Sequence, residues 1–335
     1  MEIEQPVQPV ARLVPWIEKY RPATVDDIAH QDDVVRALRT CIERKNLPHL
    51  LFYGPPGTGK TSSIVAAARQ LFGSHYKERV LELNASDERG IAVVREKVKK
   101  FAQFSVTAHN DLPPFKIIIL DEADSMTKDA QAALRRTMET FTKVTRFCII
   151  CNYVSRIIEP VTSRCAKFRF QSIPAAAQVA RLEEISRREN FECEDEALNA
   201  LVTAADGDMR RSVALLQSAR SLCATGEALS ASSVLAISGK IPEQFIHSAI
   251  STLRGCDFQT LRKFADELHH AGYSVATFLT QLQDIIVATE SFTDLQKARI
   301  ARIIGAVDEK LNDGCDERLQ SLWALSSIRE VAVQN

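Results

Sequence analysis

The chain has 335 residues, too many for one comfortable hydrophobic core, so two or three domains are expected. A net charge of −1, with 45% apolar and 25% charged residues, excludes a chain that is basic all over. A local basic face could still meet nucleic acid. The longest aliphatic run, Ile117-Ile118-Ile119-Leu120, is far short of a membrane span. The start, Met1 to Pro6, lacks the basic and apolar stretches of a signal peptide.

The first elements alternate. His49 to Tyr53 reads as a strand, followed by a glycine-rich loop and a helix through Ile64, Val65, Ala68 and Leu71. Val80 to Leu83, Lys116 to Leu120, Arg146 to Cys151 and Cys165 to Phe170 supply four more strands. Near-continuous apolar strands separated by helices indicate an α/β fold with a parallel sheet covered on both faces. Cys148 and Cys151 form a C-x-x-C with no second pair to complete a zinc site, so they read as buried, reduced strand thiols among eight cysteines.

From Pro174 the strand signals stop. Helices are expected over Gln178–Glu189, Asp195–Ala205 and Met209–Leu222, with Asp208 placed to cap the third. After Gly239 and Pro242 three apolar stripes follow. The first is Val275, Phe278, Leu279, Leu282, Ile285 and Ile286. The second is Leu295, Ala298, Ile303, Val307 and Leu311, and the third is Leu319, Leu322, Trp323 and Ser326. Such a segment is either a self-covering bundle or an oligomerisation module.

Two motifs carry chemistry. Gly54-Pro55-Pro56-Gly57-Thr58-Gly59-Lys60-Thr61 matches the phosphate-binding P-loop and lies between a strand and a helix, as it must. Its glycines let backbone amides face phosphate oxygens, and the helix N-terminus favours the same anion. Lys60 can neutralise β- and γ-phosphates, and the Thr61 hydroxyl can ligate Mg²⁺. Asp121 and Glu122 emerge at the end of an aliphatic strand, where ligands bind in open α/β sheets. Asp121 should help to hold Mg²⁺, and Glu122 is the candidate to activate water. Asp124 is suited to capping the next helix. Together these residues point to ATP hydrolysis.

The same residues resemble the AAA+ ATPases, and more closely the small subunits of replication factor C, a clamp loader. The resemblance runs from Pro15 to the C-terminus. It rests on Trp16-Ile17-Glu18-Lys19-Tyr20-Arg21-Pro22, on Leu83 to Gly90, on Ala133 to Glu139, on Asn152 to Pro160 and on Ser163-Arg164-Cys165. It implies a tail over 1–14, an AAA+ P-loop domain over 15–172, a three-helix lid over 173–238 and a helical collar over 239–335.

The resemblance also implies site roles. Ile17, Arg21, Ile28 and Ala29 would line the adenine pocket, Asn152 would be sensor 1, and Arg210 would be sensor 2. Arg164 would be an arginine finger inserted into a neighbour's ATP site, although by pattern alone it reads as a surface arginine paired with a local acid. Arg89, Ile91, Arg95, Lys99 and Lys128 would follow DNA phosphates, where the charge run alone reads as a solvated face. Gln131 and Arg135 would relay DNA contact to Glu122.

The cofactors implied are ATP and Mg²⁺. The partners implied are a large subunit, three other small subunits, the sliding clamp PCNA and primer–template DNA, with no membrane and a nuclear location. A subunit with an idle site that only donates Arg164 is the alternative function.

Overall fold

In a computed structural model, the structure describes residues 14–85, 91–103, 112–223, 228–255 and 257–333, without the side chains of 91–95 and 254. Residues up to Val234 form one compact unit and Leu235–Asn335 a second.

The first unit is built on five parallel strands: β1 (Leu50–Tyr53), β2 (Val80–Asn84), β3 (Lys116–Asp121), β4 (Thr145–Cys151) and β5 (Ala166–Arg169). Their order across the sheet is β2-β3-β4-β1-β5. Alternation explains the continuous apolar runs. Leu50, Phe52, Ile117, Ile119, Cys148 and Ile150 enter one buried cluster, while Leu51, Ile118, Leu120, Phe147, Ile149 and Cys151 enter another. Both faces of the sheet are therefore core. Cys148 and Cys151, three residues apart on β4, fall into opposite clusters and cannot share a metal. Burial raises the Cys148 thiol well above its ordinary range and Cys151 to about 12.

Register aligns the functional edge. Tyr53 pairs with Cys151 and Leu120 with Ile149, so β1, β4 and β3 end within one residue of each other. Gly54, Asn152 and Glu122, the next residues but one or less, leave the sheet at the same edge.

The helices Ala175–Arg188, Asp195–Ala205 and Met209–Leu222 follow the sheet. Two buried glutamines hold the chain where it leaves β5. The Gln31 amide donates to the Gln171 carbonyl at 2.8 Å and accepts from its N–H at 3.3 Å, and Gln178 donates to the Ile173 carbonyl at 2.8 Å. The Asp208 carboxylate accepts from the Arg210 and Arg211 amides, as the capping pattern predicts.

The short helix Trp16–Lys19 is held by these same helices. Trp16 stacks on Phe191 with centroids 5.9 Å apart, its amide donates to Gln217, and Lys19 and Tyr20 both donate to Glu189 at 2.6 Å.

The second unit is helical: Glu243–Gly255, Phe258–His270, Val275–Ala288, Asp294–Asn312 and Glu317–Val333. The Val275 stripe is buried through Phe278, Leu279, Leu282 and Ile286. The other two stripes need correction. In the fourth helix Ile300, Ile304 and Val307 are buried while Leu295 is 63% exposed. In the last helix the buried face is Ser321, Ala324, Leu325 and Ile328, leaving Leu319 65% and Trp323 42% exposed. A stripe two residues out of phase lies about 200° around the helix, so Leu319 and Trp323 face the side opposite the core. No described helix is long and apolar enough to cross a membrane.

Candidate active site

The loop after β1 is shaped as a cradle. At Gly54 the backbone has φ 142°, and an added Cβ would lie 2.2 Å from the Phe170 carbonyl oxygen. At Gly57 φ is 69°, and a Cβ would lie 1.8 Å from the Asp208 carboxylate. Neither position admits a side chain without displacing backbone or the lid cap. The helix Lys60–Phe72 starts directly from this loop, so its unpaired amides point into the cradle.

The polar side chains at this edge hold one another. Lys60 is buried, and its ammonium donates to the Gly54 carbonyl at 2.7 Å, the Pro55 carbonyl at 2.6 Å and Asn152 Oδ1 at 2.9 Å. Among the described residues no carboxylate bonds to it. Burial, then the nearby Arg210, holds its pKa below the ordinary lysine value. Such a cation gains from an incoming anion. The Thr61 hydroxyl donates to Asp121 Oδ2 at 2.6 Å, so the two residues expected at the metal already touch. Asp121 Oδ1 accepts from the Glu122 amide at 2.9 Å. Glu122 itself takes a left-handed backbone, φ 53° and ψ 37°, which costs a non-glycine residue about 1–2 kcal/mol. Backbone strain of this kind is concentrated at functional sites.

Asp124 does not cap the next helix. Thr127 does, accepting from the Ala130 amide. The Ala123–Ser125 turn instead carries Asp124 back toward β4, where Oδ2 accepts from the amides of Asn152 at 3.2 Å and Tyr153 at 3.4 Å. Gln131, fully inside, bonds to the Met126 and Arg156 carbonyls at 3.1 Å and to the Ile158 amide at 2.8 Å. It ties the exit of β3 to the exit of β4.

A cavity continues from the cradle. Ile17, Arg21, Ile28, Ala29, Gly57, Thr58, Gly59 and Arg210 all line it. Gly54, Pro55, Pro56, Lys60 and Thr61 continue from it along the loop. Sequence reasoning missed the share of the wall taken by Ile173, Arg181, Ile185, Met209 and Val213. The spacing of Met209 and Val213, four apart beside Arg210, was the available signal. The cradle, the Lys60 ammonium and the Thr61–Asp121 oxygen pair fit a nucleoside triphosphate with a divalent cation.

Arg164 stands at the other edge of the sheet, just before β5. Its guanidinium donates to the Pro160 carbonyl and to Glu139, each at 2.6 Å, and Arg135 reaches the same Glu139 at 3.5 Å. Of the expected phosphate-tracking residues, Arg89 and the side chains of Ile91 and Arg95 lie outside the described residues. Lys99 and Lys128 are exposed, Lys128 at the first residue of the helix Lys128–Phe141.

Comparison with known proteins gives three family matches in chain order. The ATPase family associated with various cellular activities (AAA) matches residues 50–173, the RCF1/5-like AAA+ ATPase lid domain 180–221, and the Replication factor C C-terminal domain 241–327. The chain is 50% identical over 313 residues to replication factor C subunit 2 of rice, covering 92% of each. It is 48% identical over 330 residues to replication factor C subunit 4 of human, covering 97% of this chain and 90% of that one. The chain belongs to the replication factor C small subunits. It is thus an AAA+ ATPase and a subunit of a clamp loader of DNA replication that assembles with other replication factor C subunits. An archaeal relative, the replication factor C small subunit of Archaeoglobus fulgidus, is 45% identical and is covered over 94% of its length. Among solved structures, the RuvB Holliday junction branch migration motor of Thermotoga maritima has a TM-score of 0.53 at 17% identity, covering 75% of this chain and 85% of that one. That likeness shows a shared AAA+ fold.

Proposed function

We propose that this chain is a working motor subunit of a heteropentameric clamp loader, which opens the sliding clamp PCNA and places it on primer–template DNA in the nucleus. The observation that carries this reading is the pair of hydrogen bonds Lys60–Asn152 and Thr61–Asp121, made by two adjacent residues at one sheet edge. A subunit that only lent an arginine to its neighbour would not need it.

In this reading the Gly54–Thr61 amides and Lys60 hold the β- and γ-phosphates. Thr61 and Asp121 would hold Mg²⁺, which when bound would supply charge neutralisation at the phosphate oxygens. Glu122, held out of the sheet by its left-handed backbone, orients the attacking water and takes its proton. Asn152 sets the water against the γ-phosphate, and Arg210 reaches it from the lid. The lid therefore senses the nucleotide through the same residue that lines the base cavity beside Ile17 and Ile28. Arg164 exchanges Glu139 for the neighbour's γ-phosphate. Its surface ion pair is a weak hold, about 1 kcal/mol or less, and easily surrendered.

Lys99 and Lys128, with Arg89, Ile91 and Arg95, follow the DNA backbone by charge and shape, and turnover is stimulated by DNA and clamp. The 1–14 tail, the 15–172 ATPase domain, the 173–238 lid and the 239–335 collar divide the labour. In the collar, Leu319 and Trp323, one turn apart and turned from the core, suit contact with another subunit. The test is assembly with four related subunits and the clamp. ATP turnover rising severalfold with primer–template DNA and PCNA supports the reading, and an isolated homohexamer indifferent to both overturns it.

A further inference from the structure

Asp124 is the one acid at the end of β3 that the hydrolytic reading leaves unused, and its surroundings give it a task. Its carboxylate does not reach toward Thr61, as Asp121 does, nor does it cap the helix that follows. It crosses from the β3 exit to the β4 exit and accepts from two successive amides, those of Asn152 and Tyr153. A carboxylate oxygen taken up by two N–H groups fixes the peptide between them more firmly than a neutral acceptor would. The peptide so fixed is the one that carries the Asn152 side chain, whose Oδ1 meets the Lys60 ammonium at 2.9 Å.

The strand alone does not fix Asn152. Cys151 is the last residue of β4, and its partner Tyr53 is the last of β1. Beyond them the chain leaves the ladder, and two residues separate Cys151 from the short Val154–Arg156 turn. Asn152 and Tyr153 bridge that gap, and Asp124 supplies the acceptor that the ladder no longer does. Gln131 performs the matching task further along, at Arg156 and Ile158.

We infer that Asp124 is a positioning residue for ATP hydrolysis, setting the Asn152 carboxamide against Lys60 and the γ-phosphate by holding the Asn152 and Tyr153 amides. This rests on the reading of Asn152 as the residue that aligns water at the γ-phosphate. Asp124 bonds to the Asn152 and Tyr153 amides. It acts through Asn152, and its loss disturbs the turnover step rather than the affinity for nucleotide. A purely structural role would lower stability and act independently of Asn152.

The experiment is a double-mutant cycle in the full-length chain, assembled with its partner subunits after their own P-loop lysines have been substituted. Turnover, KM for ATP, nucleotide affinity and melting temperature are measured for Asp124→Ala, Asn152→Ala and the pair. Asp124→Ala is expected to lower kcat about tenfold, the scale of a lost charge-assisted hydrogen bond, with nucleotide affinity unchanged. The double variant is expected to be no slower than Asn152→Ala alone. Asp124→Asn keeps a carbonyl acceptor and should recover most of the rate. It also serves where the alanine variant does not fold, because its smaller loss should likewise vanish on an Asn152→Ala background.

Unchanged kcat in Asp124→Ala, or losses that multiply in the pair, would overturn the inference while leaving the Asn152 reading intact. Unchanged kcat in Asn152→Ala would overturn that reading itself, and this inference with it.

Discussion

The two edges of the sheet are built in opposite ways. At the edge where β1, β3 and β4 end, Lys60 is 6% and Thr61 9% exposed, and each is bonded to a residue of another strand exit. At the edge where β5 begins, Arg164 and Glu139 pair with side chains 37% and 41% exposed. The first edge is held together by bonds within one chain. The second is held by a solvated surface ion pair. The difference fits a site whose phosphate cradle is supplied in cis while the completing arginine is supplied in trans.

The comparison is broken most forcefully at Arg164. In the assembled complex, Arg164→Ala should lower turnover at the neighbouring site by about 10³-fold while this chain's own nucleotide affinity stays unchanged. Steady-state kinetics with only that neighbour active, alongside binding of a fluorescent ATP analogue, would check it. If both sites respond alike, the division between edges is wrong. Next comes Lys60→Ala, which removes the one cation that faces the cradle from the loop and should weaken ATP binding by at least about 100-fold with the fold retained. Equilibrium titration with circular dichroism would measure both.

A pH effect distinguishes the buried from the exposed as well. His49, beside the start of β1, accepts from the Phe147 amide through Nδ1 at 3.1 Å. Burial, then Arg146, lowers its pKa from 6.5 to about 4. An unfolded histidine therefore binds a proton that the folded one refuses between those values. Stability conferred by the neutral ring is intact above pH about 6.5 and declines as pH falls toward 4, by up to about 3 kcal/mol. Urea unfolding at pH 7 and 4.5 should show a smaller decline in His49→Gln, which keeps an acceptor for Phe147. The smallest effect expected is Glu139→Ala in the free chain, a stability change below about 1 kcal/mol by the same unfolding assay, because the pair is solvated.

Much of this was legible in the sequence, and the rest was hidden for identifiable reasons. Strand limits follow from aliphatic runs buried on both faces, so Lys116 to Leu120 could hardly be anything else. The P-loop and the Asp121–Glu122 pair are local, and local spacing reveals them. Asp124 reads as a cap in the sequence because capping is also local. Its true partners are the Asn152 and Tyr153 amides, 28 and 29 residues away, and nothing in the intervening chain announces them. The Trp16 segment's hold on Phe191, Gln217 and Glu189 was hidden for the same reason. The last helix failed differently. Leu319 and Trp323 outrank Ser321 and Ala324 in hydrophobicity, so the sequence points to the more apolar stripe, yet the small residues face the core where helices pack closely. A large apolar residue left outside is a signal of another surface, and periodicity alone does not separate the two.

The central claim is that this chain's own site, at the exits of β1, β3 and β4, cleaves ATP. Glu122→Gln tests it most directly, in an assembled complex whose other sites are disabled. ATP should bind with unchanged affinity, and single-turnover hydrolysis should slow by about 100-fold or more. Hydrolysis at the unmodified rate, with DNA and clamp stimulation intact, would contradict it.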